Sequence, residues 1–351
     1  MATVSFKCPN CGGPTTFDPA KQLFDCDYCR SEFDEATLTA YAGRMAQQSA
    51  AQAEQAQARE DAGEQVVYNC PSCGAQIVTD PTTAATFCYY CHSPVVLTGR
   101  LAAKYRPDQV LPFTIDREQA VNRFLDWTKK YKYVPRDFFS ADQLEKICGV
   151  YYPYWMADYR GVTHFVGEGT LTTTRQEGRY NVTDTAYYQV VRDAEVKYDN
   201  LARPALSKAD RKLADGVHPY NMEQAREFSP AYLSGFMAEK RDIEAEQVRP
   251  EVEQEIENYT LSMIRAGERY SSLNGHADTE YTEVNYKYCL LPAWVLTYKG
   301  RDGQLYYYAM NGQTGQVCGR LPISKGKLWA NTGVVFAVAA ALLLVGGWLL
   351  F

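Results

Sequence analysis

The sequence predicts an α+β fold with metal-stapled ribbons at its front and one spanning helix at its end. Three observations predict it. Eight cysteines fall into two copies of one spacing. A short pattern of proline, tryptophan, tyrosine and glycine recurs in two β-rich stretches. The last 19 residues carry no charged side chain. These features divide the chain into a four-cysteine ribbon at 1–35, an Ala/Gln-rich helical spacer at 36–65 and a second ribbon at 66–97. Two α+β units follow at 98–215 and 216–325, then a transmembrane anchor at 328–351.

Cys8-x2-Cys11-x14-Cys26-x2-Cys29 returns 62 residues later as Cys70-x2-Cys73-x14-Cys88-x2-Cys91. Pro9, Gly12, Asp18, Pro19 and Tyr28 match Pro71, Gly74, Asp80, Pro81 and Tyr90 at the same offset. Two CxxC pairs joined by a hairpin-length stretch place four thiolates tetrahedrally around one ion, as structural zinc requires. Gly12 and Gly74 sit where the turn needs a left-handed backbone. Each ribbon is too small to bury a sufficient core, so the metal supplies folding energy. The expected cofactors are therefore two structural Zn2+ ions, although an all-sulfur site also accepts iron. A disulfide framework needs an oxidising compartment, and Met1–Asn10 does not read as a secretory signal. A redox pair needs one CxxC in a larger α/β domain rather than four in tandem hairpins. Four sulfurs leave no open position for water, which makes the sites structural. His92 beside Cys91 reads as a surface residue.

Charge narrows the ligand class. The chain has 42 Asp+Glu against 36 Lys+Arg, a formal net charge of −6. Counting each zinc with its four thiolates as −2 takes this to about −10. In residues 5–35, Lys7, Lys21 and Arg30 face Asp18, Asp25, Asp27, Glu32, Asp34 and Glu35. Nucleic-acid binders present a basic face, so this balance argues against DNA or RNA.

Gly333–Phe351 offers only the Trp348 indole as a hydrogen-bonding side chain, and a helix of that length reaches about 28 Å. Arg320, Lys325 and Lys327 precede it, so the positive-inside bias predicts a cytoplasmic bulk and a single-pass C-terminal anchor in the cell membrane. Trp329 and Trp348 suit the two interfaces.

Between the ribbons, Leu38, Tyr41 and Met45 begin a helical stripe that continues only as alanine, and Gly63 can end it. Asp116 is a candidate cap for a helix over Arg117–Lys130 with Ala120, Val121, Phe124, Leu125 and Trp127 on its apolar side. Strands follow from Val150 to about Val196 with turns at Gly167–Gly169 and Glu177-Gly178, a helical region from about Pro230 to Ala266, and strands again over Tyr281–Leu321. Pro250 marks a break or a new first turn in that helical region. Pro153, Trp155, Tyr159, Arg160 and Gly161 recur 139 residues later as Pro292, Trp294, Tyr298, Lys299 and Gly300. This repeat predicts a duplicated body: two units, each a helix with an antiparallel sheet, packed together. Most of the 27 tyrosines lie in this body, where their amphipathic rings suit half-exposed sheet faces; a tyrosine-lined surface for partners is the alternative.

Catalytic constellations are missing from the sequence. It has no G-x4-G-K-[ST] loop, no H-E-x-x-H and no G-x-S-x-G. His92, His164, His218 and His276 are scattered, and Cys148, Cys289 and Cys318 lie in apolar surroundings as small hydrophobes. The expectation is a protein that is not an enzyme, with no small-molecule substrate.

The CDYC and CYYC knuckles, PDQVLPFTIDREQA, GVYYPYW, PAYLSGFMAE and LLPAWVLTYKG with NGQTGQV resemble the YdjG-like family of bacterial membrane-anchored proteins with a TFIIB-type zinc ribbon. The resemblance spans essentially the whole chain. It implies an adaptor in an envelope-stress system that recruits a phage-shock-protein-A-like coat protein and an SPFH-type membrane protein to the cytoplasmic face of the bilayer. The competing reading is a membrane-anchored nucleic-acid-binding regulator, which the acidic first ribbon disfavours.

Overall fold

A computed structural model describes residues 6–47, 66–70, 76–88, 93–101, 103–266 and 270–350. The first ribbon is a three-stranded antiparallel sheet of β1 (Thr15–Asp18), β2 (Leu23–Cys26) and β3 (Glu32–Phe33). Asp34 accepts from the Thr37 N–H at 2.8 Å and opens α1 (Glu35–Gln47). That helix is not a free spacer: its Leu38 is buried in the main core. The rest of the expected spacer, 48–65, lies outside the described residues.

In the second ribbon β4 (Val66–Asn69) and β5 (Gln76–Thr79) form a separate hairpin. β6 (Thr83–Phe87) and β7 (Pro94–Val96) instead join the main sheet. Arg100 is buried behind the hairpin, donating to the Thr83 carbonyl at 2.7 Å and to that of Asp80.

The body contains β8 (Gln109–Val110), α2 (Arg117–Lys129), the short α3 (Ala141–Leu144) and a long hairpin of β9 (Cys148–Glu177) with β10 (Tyr180–Pro204). Then come α4 (Arg211–Gly216), β11 (Arg226–Glu227), β12 (Met237–Glu239), α5 (Ala245–Ala266), β13 (Ser272–Lys299), β14 (Leu305–Asn311), β15 (Val317–Gly319) and α6 (Lys325–Leu350). Asp116 caps α2 by accepting from the Gln119 N–H, and Ala120, Phe124 and Thr128 are its buried stripe. On α5 the stripe is Val248, Val252, Ile256 and Thr260, one residue per turn. The helix expected from about Pro230 begins only at Ala245, because Pro230–Leu233 is a single 3-10 turn and Met237–Glu239 a strand. Pro250 lies inside α5 without ending it.

Two expectations are overturned. The body is not a pair of units, each with its own antiparallel sheet. Among the described residues it is one ten-stranded mixed sheet in the order β11-β8-β13-β9-β12-β6-β7, with β10 on β9 and β14 and β15 beyond β13. The proline–tryptophan segments are antiparallel neighbours at its centre, Leu290 opposite Pro153 and Pro292 opposite Tyr151. The short strands supply the parallel pairings: β8 lies along β13 with Gln109 opposite Cys289, and β12 along β9 with Met237 opposite Val150. Strands of two or three residues leave no alternation to read, so the mixed character was hidden in the sequence.

The C-terminal anchor at 328–351 is also not supported. Among the described residues no helix is long and apolar enough to cross a membrane. α6 carries Lys325, Lys327, Asn331 and Thr332 in its first turns. The single-pass, membrane-anchored localisation read from the sequence falls with it.

Candidate metal centre

Two short turns build the first centre. In the first, the Cys8 N–H donates to the Gly13 carbonyl at 2.7 Å and the Gly12 N–H to the Cys8 carbonyl at 2.9 Å. In the second, the Cys26 N–H donates to Ser31 at 3.0 Å and the Arg30 N–H to Cys26 at 2.8 Å. The turns share one backbone scheme, and the residue before its end is left-handed in both: Gly12 at φ +75° and Arg30 at φ +56°. Glycine takes that conformation freely, whereas arginine holds it at a cost.

This folding converges four sulfurs. Cys8 Sγ lies 3.5 Å from Cys29 Sγ, Cys11 Sγ lies 3.4 Å from Cys26 Sγ, and all four are within 4.8 Å of one another. Thiolates 2.3 Å from a tetrahedral zinc would be about 3.8 Å apart, so the set can hold a metal ion with little adjustment. Cys8 and Cys26 are buried beneath, while Cys11 and Cys29 are exposed. The Asn10 N–H points at Cys8 Sγ at 3.3 Å, and the Ser31 hydroxyl lies 3.2 Å from Cys29 Sγ. The Cys29 thiol is pushed down to about 6, first by the Ser31 hydroxyl and then by the Ser31 backbone N–H. Cys11 behaves oppositely. The Gly13 N–H favours its thiolate, but Cys26, partial burial, Cys29 and Cys8 push it up to about 12. Four crowded thiols cannot all ionise unaided, and a cation among them removes the conflict.

The ribbon is fused to the body through aromatic rings. Phe17 meets Tyr232 edge-on at 5.4 Å and Phe236 at 6.4 Å, and Phe24 lies 6.0 Å from Tyr232. Hydrogen bonds fix the docking: Phe17 N–H to the Ser234 carbonyl at 3.0 Å, the Ser234 hydroxyl to the Thr15 carbonyl, and Gln22 Nε2 to the Phe113 carbonyl at 2.7 Å. Gly235, at φ +90°, lets this loop approach Thr16. Sequence reasoning missed these contacts. The signal available was that Phe17 and Phe24 exceed what a hairpin of this size can bury alone.

Of the second cysteine set, Cys70 and Cys88 are buried, and Cys73 and Cys91 lie outside the described residues, as do Gly74 and His92. Among the remaining cysteines, Cys289 is fully buried and burial pushes its thiol up to about 12; burial also raises Cys148 and Cys318, which are partly exposed. His164 and His276 each bond an aspartate on the exposed sheet, Asp193 at 2.6 Å and Asp278 at 2.9 Å. A cavity of about 500 Å³ opens on the sheet between Tyr152, Pro204, Leu213 and Val295, and its Lys208 and Glu239 pair with each other at 3.0 Å.

No family model matches the chain, and no solved structure matches it. It is similar to an uncharacterised protein of Bacillus subtilis (strain 168), YdjG, with 33% identity over 351 residues covering 98% of this chain and 99% of that relative. Agreement at that level along nearly all of both sequences reflects common descent, and the chain belongs to the family of YdjG.

Proposed function

We propose that this protein is a non-enzymatic docking scaffold whose ribbons each hold a structural zinc ion. Cys8, Cys11, Cys26 and Cys29 hold one, and Cys70, Cys73, Cys88 and Cys91 the other. The observation that carries this reading is the closed four-sulfur cluster, whose ribbon shares its aromatic core with the body. Zinc bound there supplies folding free energy and no vacant coordination position. The repeated spacing and the burial of Cys70 and Cys88 support the second ion. Charge favours protein partners over nucleic acid: Lys21 is held by Asp25 and Glu32, each at 2.8 Å, within an acidic ribbon. Exposed tyrosines, among them Tyr28, Tyr180 and Tyr187, suit protein recognition. The partners to seek first are the phage-shock-protein-A-like and SPFH-type proteins that the resemblance implies, within an envelope-stress system.

The test combines metal content with neighbour capture. Purified wild type should contain about two zinc ions per chain. A Cys8→Ser/Cys11→Ser variant should lose one of them, together with part of the set of proteins recovered by proximity labelling. Folded protein with less than one zinc, or an unchanged set of neighbours, defeats the proposal.

A further inference from the structure

The hairpin of β9 and β10 extends beyond the core as a ribbon with β13, and among the described residues β10 pairs only with β9. Its outer edge therefore presents a long row of backbone donors and acceptors, a template for another strand. The outer part of this strand, Tyr180–Tyr198, is about 60 Å long at ~3.4 Å per residue. Several of its apolar side chains are open to solvent: Tyr180 is 78% exposed, Tyr187 68%, Tyr188 43% and Val191 63%.

Its sequence, YNVTDTAYYQVVRDAEVKY, reads nearly the same in residue class from either end about Gln189. Laid antiparallel on a second copy of itself with Gln189 opposite Gln189, it pairs Tyr188 with Val190, Tyr187 with Val191, Val182 with Val196 and Tyr180 with Tyr198. Each pairing occurs twice, as a two-fold interface requires. No like charges meet: Asp184 faces Ala194, Arg192 faces Ala186, Asp193 faces Thr185, Glu195 faces Thr183 and Lys197 faces Asn181. Tyr187 and Val191 point to the same face of the sheet, so the central pairs would cover the exposed apolar groups beside Val166. Cross-strand pairs of aromatic and β-branched residues are the favourable kind.

We propose that two copies of this protein join edge to edge through β10, antiparallel about a two-fold axis at Gln189, so that two three-stranded ribbons become one continuous sheet. The occupant is a second copy because the strand complements itself in this register.

The experiment uses the full chain. Sedimentation at increasing concentration should show a monomer–dimer equilibrium, and Gln189→Lys, which sets two like charges opposite each other, should weaken it by about tenfold or more. Gln189→Cys places two thiols about 4.5–5.5 Å apart between Cα atoms, and mild oxidation should yield a covalent dimer absent from the unsubstituted chain. Thr185→Cys, its copies about 27 Å apart in this register, should not cross-link. Position 189 is exposed, and an unchanged far-UV circular dichroism spectrum reports that the variants are folded. A chain that stays monomeric at tens of micromolar overturns the proposal. So does cross-linking through Thr185→Cys but not Gln189→Cys, or a β10 edge held by a different protein.

Discussion

Trp155 and Trp294 make one bond in two places: each indole donates at 3.0 Å to the carbonyl of an isoleucine leading into a helix, Ile243 before α5 and Ile115 before α2. Each tryptophan stands on one central strand and ties down the entrance to the other strand's helix. Trp155 also lies under the Arg241 guanidinium, 4.9 Å from the ring centroid. Replacing either indole with phenylalanine leaves a carbonyl unpaired and should cost about 1–3 kcal/mol in urea unfolding, more at the fully buried Trp294 bond. Changes below about 0.5 kcal/mol at both positions would mean that these bonds are not structural.

Stripping the metal should reach beyond the ribbon. Phe17 and Phe24 are buried against Tyr232, so a chelator that unfolds the first turns also uncovers the 229–236 loop. Hydrogen exchange should show faster amides at Phe17, Ser234 and Phe236 in chelator-treated protein than in the zinc-loaded form. Unchanged protection there would show that the ribbon hangs independently of the body. Phe17→Ala tests the same joint without touching sulfur and should cost about 3–5 kcal/mol.

The two knuckles carry opposite substitutions. Arg30 is left-handed where its counterpart is Gly12. Arg30→Gly should therefore gain about 0.5–1 kcal/mol, and Gly12→Ala should lose about 1–2 kcal/mol. Thermal unfolding of the zinc-loaded protein measures both. A loss from Arg30→Gly would mean that its side chain outweighs the backbone strain.

Acidification should weaken the fold through His218. Its ring is buried between Tyr154 and Tyr220, at 5.5 and 5.1 Å. Burial holds its pKa below 6.5, with Asp215 opposing and Arg203 adding to the effect. The unfolded chain therefore takes the proton first. The stability contributed by neutral His218 is complete above the unfolded value of 6.5 and declines as the pH falls towards the folded one. The urea midpoint should drop between pH 7.5 and 5.5, and His218→Phe should flatten that slope. An unaltered slope in the variant assigns the titration elsewhere.

Local chemistry was the legible part of this fold. The clustering of Cys8, Cys11, Cys26 and Cys29, the left-handed Gly12 and the Asp116 cap each depend on residues close in sequence, and each is present in the structure. What was not legible depends on distance. Gln109 and Val110 form a strand because Cys289 and Leu290 lie on one side of them and Arg226 and Glu227 on the other, and Phe17 becomes core because Tyr232 arrives from elsewhere. Tyrosines divided, with Tyr151, Tyr159, Tyr232 and Tyr308 in the core and Tyr28, Tyr180 and Tyr187 outside.

The crossed placement of the short strands bears on how the chain is made. As it leaves the ribosome, Gln109 and Val110 wait for Cys289 and Leu290, some 180 residues behind them. Such late partners imply slow closure and a nascent chain with unpaired edges through most of its synthesis. A fragment ending before residue 289 would keep β11 on one side of β8 and lack the stretch of β13 that pairs with it on the other.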